Sequence, residues 1–117
     1  MAFNPKILGQ YNATTSTYAL YTVPSATTTV VSTLAVANTT TSTATATVWI
    51  CKAGASTSST NVLLSSVPVS GNNTTFFTLG LTLAATDVIN VTSGTASALT
   101  FHAYGSCLLY TSPSPRD

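Results

Sequence analysis

The sequence predicts an all-β fold, an antiparallel β-sandwich, and three observations carry that expectation. No stretch sustains a 3.6-residue apolar period between helix caps. Short alternating runs rich in Val, Ile, Thr, Tyr and Phe recur along the chain, and clusters of Gly, Pro, Asn and Ser separate them.

The first run is Lys6 to Gln10. The second, Thr17 to Val23, stops at Pro24-Ser25, a turn pair. Thr29 to Ala37 follows, with Leu34 and Val36 two apart and therefore on one face. Thr43 to Lys52 places Val48 and Ile50 on one face and Thr45, Thr47 and Trp49 on the other. Gly54 to Ser59 reads as a hairpin connection to Asn61–Val67, and Ser70-Gly71-Asn72-Asn73 is a strong turn before Thr75–Leu81. In that strand Phe77, Leu79 and Leu81 share the core face. Ala84-Ala85-Thr86-Asp87 turns into Asp87–Thr92, where Ile89 and Val91 point inward, and Ser93-Gly94-Thr95 turns into Ala98–Gly105. The last strand buries Leu99 and Phe101 and presents Thr100, His102 and Tyr104 outward. Two sheets closing over these residues give a sandwich of seven or eight strands, immunoglobulin-like or jelly-roll-like; alternation leaves that choice open.

Charge is the other informative feature. Within residues 1–106 only Lys6, Lys52 and Asp87 are formally charged, whereas Thr and Ser supply roughly a third of the chain. Charged residues make up 4% of the sequence, against about a quarter in an ordinary soluble domain, so much of the surface is expected to lie against other subunits. A hydrophobic fraction of 44% excludes disorder, and 117 residues suffice for one domain and one core. Edge strands are normally guarded by lysine, proline or inward charge. With Lys6 and Lys52 as the only lysines, at least one edge or face is expected to be covered. A net charge of +1 provides no basic patch for nucleic acid and no polybasic surface for a membrane, and no apolar run is long enough to span one. The first residues, Met1-Ala2-Phe3-Asn4-Pro5-Lys6, lack a secretory leader pattern. Asn-x-Ser/Thr sequons at Asn12, Asn38, Asn72 and Asn90 are therefore read as chance products of a Thr-rich composition.

Catalysis needs positioned titratable groups, and residues 1–106 offer Asp87, His102 and Cys51. Asp87 follows a turn, where its carboxylate is expected to cap backbone amides. No nucleophile elbow, phosphate loop or metal-ligand spacing accompanies these residues, so no catalytic, metal or cofactor site is assigned. Trp49 stands out as an interface anchor or a stacking platform for a sugar, unless the alternation slips by one residue and turns it inward. Thr47 beside it and Tyr104 on the last strand complete the candidate interface or ligand residues.

The last eleven residues, Cys107-Leu108-Leu109-Tyr110-Thr111-Ser112-Pro113-Ser114-Pro115-Arg116-Asp117, resemble the reading-frame translation of a transposase adapter used in sequencing libraries. That resemblance implies a domain at 1–106 followed by a non-native or disordered tail at 107–117, and it leaves Cys51 as a lone thiol. Three other stretches, Lys6-Ile7-Leu8-Gly9-Gln10, Leu20-Tyr21-Thr22-Val23-Pro24 and Thr78 through Ile89, resemble small β-sandwich structural proteins of tailed bacteriophages. The resemblance implies a non-enzymatic virion component, a capsid decoration protein or a tail or fibre subunit, assembled in the host cytoplasm. Its implied partners are other virion proteins and further copies of itself. The alternative is a carbohydrate- or receptor-binding module that stacks a host-surface glycan on Trp49 and nearby tyrosines.

Overall fold

The computed structural model describes residues 2–109, in which eight strands alternate between two sheets. They are β1 (Ala2–Asn12), β2 (Tyr18–Thr22), β3 (Thr27–Asn38), β4 (Ala44–Cys51), β5 (Val62–Val69), β6 (Thr74–Leu83), β7 (Val88–Ser93) and β8 (Leu99–Leu109). A single 3₁₀ turn, Lys52–Gly54, interrupts the β4–β5 connection. Each expected strand is present, displaced by a few residues at its ends.

Strand order settles the architecture. One sheet runs β1-β8-β3-β6 and the other β2-β7-β4-β5, with antiparallel pairing throughout. The pairs β1 with β8, β2 with β7, β3 with β6 and β4 with β5 are those of one long hairpin bent back at the β4–β5 connection. Wrapping that hairpin into two layers then creates the additional pairs β3 with β8 and β4 with β7. This is the eight-stranded jelly roll, which decides against the immunoglobulin-like alternative.

The core lies between the layers and follows the expected alternation. Leu34, Val36, Val48, Ile89, Val91, Leu99 and Phe101 are buried, and Ile50, Phe77 and Leu81 pack against them half-buried. The side chain of Leu79, expected beside them, lies outside the described residues. Among the described residues every buried side-chain polar atom has a hydrogen-bond partner, as a settled interior requires. The surface is 5980 Å², against about 6,000 Å² for a compact monomer of this 12.0 kDa mass. One copy therefore closes its own core.

Two close approaches fix where the layers can meet. A Cβ on Gly105 would collide with the Val30 carbonyl of β3, and one on Gly9 would press on the Leu20 carbonyl of β2 in the opposite sheet. Both glycines sit beside β-bulges: Leu8 is the extra residue in β1, Leu20 in β2 and Ser32 in β3. Bulges increase local twist and bend a strand, which lets β1 and β2 converge at the corner where the sheets meet.

β8 extends through Leu109, so Cys107 and its two successors pair with both β1 and β3. Ladder pairing is a backbone property that any β-compatible run can satisfy. Residues 110–117 of the expected tail lie outside the described residues.

Candidate interaction surfaces

The chemistry-bearing side chains are engaged locally. Asp87 Oδ2 accepts from the Ala84 N–H and Oδ1 from the Ala53 N–H, both at 2.9 Å, so one carboxylate closes the β6–β7 turn and ties it to the 3₁₀ turn. Ala53 is held there at a φ of 53°, in the left-handed region. The expected capping role of Asp87 is thus what the geometry displays. His102 is on the outer face of the other sheet, where its Nδ1 meets the Gln10 amide at 2.9 Å and its ring lies parallel to that of Tyr104. Cys51 and Cys107 are buried free thiols on different sheets. Among the described residues no three His, Cys, Asp or Glu side chains gather as a metal site would require.

A polar cluster bridges the layers inside. The Tyr21 hydroxyl contacts Thr29 Oγ1 at 3.0 Å and Cys107 Sγ at 3.3 Å. Burial raises the Tyr21 pKa above its ordinary value, and the hydrogen bond to Cys107 adds to the shift. At the opposite end of β3, Asn38 is buried and uses its whole amide: Nδ2 donates to the Ser42 and Val69 carbonyls, while Oδ1 accepts from the Thr40 N–H and hydroxyl. Its sequon is therefore inaccessible to a glycosylating enzyme. The Asn12 amide also faces backbone, at Ser97 and Leu99.

The candidate interface residues do not converge. Trp49 is half-buried on the outer face of the β2-β7-β4-β5 sheet, opposite Asn90 on β7 and Val62 on β5. β4 carries its inward set, Val48 and Ile50, without a slip, so Trp49 is not core. Thr47 shares that outer face, but its Oγ1 accepts from the Ser66 N–H at 3.1 Å, holding β5 where Ser66 adopts a φ of 49°. Tyr104 is on the outer face of the β1-β8-β3-β6 sheet, with the thickness of the sandwich between it and Trp49. Among the described residues no tyrosine joins Trp49 on its face: Tyr21 packs against the core, and Tyr18 stacks on Tyr11 with ring centroids 3.5 Å apart.

A different surface emerges on the β1-β8-β3-β6 sheet. Across its outer face one row reads Gln10, His102, Ala35, Phe76 and the next reads Ile7, Tyr104, Thr33, Thr78. Ile7 is 53% exposed, Phe76 65% and Val30, further along β3, 37%. Among the described residues the charged side chains are Lys6, Lys52 and Asp87, and none of them stands on this face. Lys6 alternates away from Ile7, Lys52 is in the 3₁₀ turn and Asp87 is in the β6–β7 turn. Alternation could have found Phe76, since it lies one residue out of phase with Phe77. The bulge at Leu8 hid Ile7.

The four edge strands are also unequal. β1 contains Pro5, Lys6 and a bulge; β2 is only five residues long; β5 contains Pro68 and two bulges. These devices discourage strand addition, so the edges are better defended than lysine content alone suggested. β6 has neither proline nor charge, and Thr74 to Thr78 pair with β3 in regular register.

No family model matches the chain, and no curated protein matches it. Two solved structures are similar in arrangement. A chain of infectious bursal disease virus, strain Gx, is 9% identical, with 91% of this chain and 30% of that chain covered at a TM-score of 0.48. A chain of strain Gt is 11% identical, with 90% and 31% covered at a TM-score of 0.45. The chain thus spans about a third of the length of the chains it matches.

Proposed function

We propose that this chain is a non-enzymatic virion structural protein, of the capsid-decoration or tail-fibre kind made by tailed bacteriophages, and that it acts by packing subunit on subunit. The observation that carries the proposal is the outer face of the β1-β8-β3-β6 sheet, on which no described side chain is formally charged and Ile7, Val30 and Phe76 are exposed. Exposed apolar side chains on a face without charge suit a surface that another protein covers. The jelly roll supports the reading as a fold used by capsid and lectin domains, though fold alone assigns no function. Its partners are other virion proteins and further copies of itself, and its place is the virion, after assembly in the host cytoplasm.

Glycan recognition is the competing role, favoured by the half-exposed Trp49 beside Asn90. Light scattering on the full chain, run beside a glycan-binding screen, separates the two. Self-association without glycan capture supports the structural role. A monomer that captures glycans, and loses them in Trp49→Ala, overturns it.

A further inference from the structure

We infer that the outer face of the β1-β8-β3-β6 sheet is a homotypic interface, on which a second copy of this chain docks with the same face about a twofold axis. The inference rests on the structural role proposed above and names the surface and the partner.

Charge selects the partner. Every described side chain on this face is neutral at pH 7 if His102 is uncharged, and a partner rich in Lys or Asp would have to strip water from its ions without finding counter-charges. A second copy brings a face whose described side chains include no ions to desolvate and no like charges to oppose. Apolar groups stand where such a contact would use them: Phe76 on the edge strand, Tyr104 stacked with His102 near the middle and Ile7 on the far strand. Ala35, between His102 and Phe76, is already 2% exposed although it points outward, so the face is filled rather than grooved. A face without a groove suits sheet-on-sheet packing.

Area sets the strength. Four strands at about 4.8 Å spacing, over a Val30-to-Ala37 run of about 25 Å, give roughly 500 Å² per copy and about 1,000 Å² for the pair. That is at the lower limit for a specific interface, so the dimer should be a weak one, with a dissociation constant in roughly the micromolar range. A twofold arrangement needs only this one self-complementary patch.

Sedimentation velocity on the full chain and on Phe76→Lys, Thr33→Lys and Ser65→Lys tests the inference, with circular dichroism confirming that each variant is folded. Hydroxyl-radical footprinting of the unmodified chain at low and high concentration adds a readout that needs no variant. The expected result is a reversible dimer whose dissociation constant rises about tenfold or more with Phe76→Lys or Thr33→Lys. It should be unchanged by Ser65→Lys on the other sheet, and Phe76 and Tyr104 should become protected as concentration rises. An assembly indifferent to Phe76→Lys and Thr33→Lys, with Phe76 and Tyr104 equally oxidised at both concentrations, overturns the inference and leaves the structural role to another surface. A monomer throughout overturns the inference and removes self-packing from the proposed function as well.

Discussion

Replacing Asn38 should be among the most damaging polar substitutions in the chain, by an amount the hydrogen bonds allow us to estimate. In Asn38→Ala, the carbonyls of Ser42 and Val69 and the N–H and hydroxyl of Thr40 lose their bond to Asn38, although the Thr40 hydroxyl, 3.0 Å from the Ser42 carbonyl, can still donate to it. Thr40 and Ser42 are near enough to solvent to rehydrate in part, whereas Val69 is fully buried. With about 1–3 kcal/mol for each buried group left unpaired, the net cost should be about 3 kcal/mol. Asn38→Asp is the sharper test. It retains an acceptor for Thr40 but turns a carboxylate oxygen toward the two carbonyls, so the charged form is disfavoured and the pKa should rise above the usual value of about 3.9. A raised carboxyl pKa penalises the fold above the unfolded-state value. Asn38→Asp should therefore be less stable than Asn38→Ala at pH 7 and regain stability relative to it on acidification toward pH 4. Urea denaturation followed by circular dichroism measures both effects, and at a slope of about 1.5 kcal/mol per molar the alanine variant's midpoint should fall by about 2 M. An Asn38→Ala cost below about 1 kcal/mol, or an aspartate variant as stable as the parent at neutral pH, would refute the reasoning.

Other perturbations have equally definite outcomes. Asp87→Ala removes the acceptor for two exposed backbone amides and should cost about 1–2 kcal/mol by thermal melting, with Asp87→Asn losing less because one acceptor oxygen survives. Tyr21 holds its proton more tightly in the fold, chiefly through burial. Its contribution should be fully present below the unfolded-state value of about 10 and fall as pH rises through the folded value. Tyr21→Phe should accordingly lose less stability than the parent between neutral and strongly alkaline pH. Gly105→Ala drives a methyl group into the Val30 carbonyl and should destabilise the sheet by about 1–3 kcal/mol or more, seen as a lowered urea midpoint.

The strands were legible because threonine maintains β propensity wherever hydrophobic residues leave the alternation. Pairs such as Leu34 with Val36 and Val48 with Ile50 then fixed which face was inside. Trp49, whose orientation alternation left open, faces outward because no extra residue interrupts its phase in β4. Strand order was not legible. Whether β8 inserts between β1 and β3 depends on contacts between residues more than 60 positions apart, such as Val36 with Phe101, and period-2 alternation says nothing about them. Bulges at Leu8, Leu20 and Ser32 were hidden too, since one extra residue changes no composition. Asn38 looked like a sequon because Thr40 follows it, although the same spacing of an Asn before a polar turn is how a side-chain amide mimics backbone. The candidate site divided for a topological reason: β4 and β8 belong to opposite sheets, so the outward faces of Trp49 and Tyr104 look away from each other.

A closed jelly roll with almost no charge should meet its neighbours through neutral surfaces. Sedimentation equilibrium of the full chain at low and at 1 M salt tests it most directly, because high salt screens ionic contacts and favours apolar burial. We expect masses above 12.0 kDa that grow with concentration and do not fall as salt is raised. A constant mass of 12.0 kDa under both conditions, or an assembly that dissolves in salt, would contradict the claim.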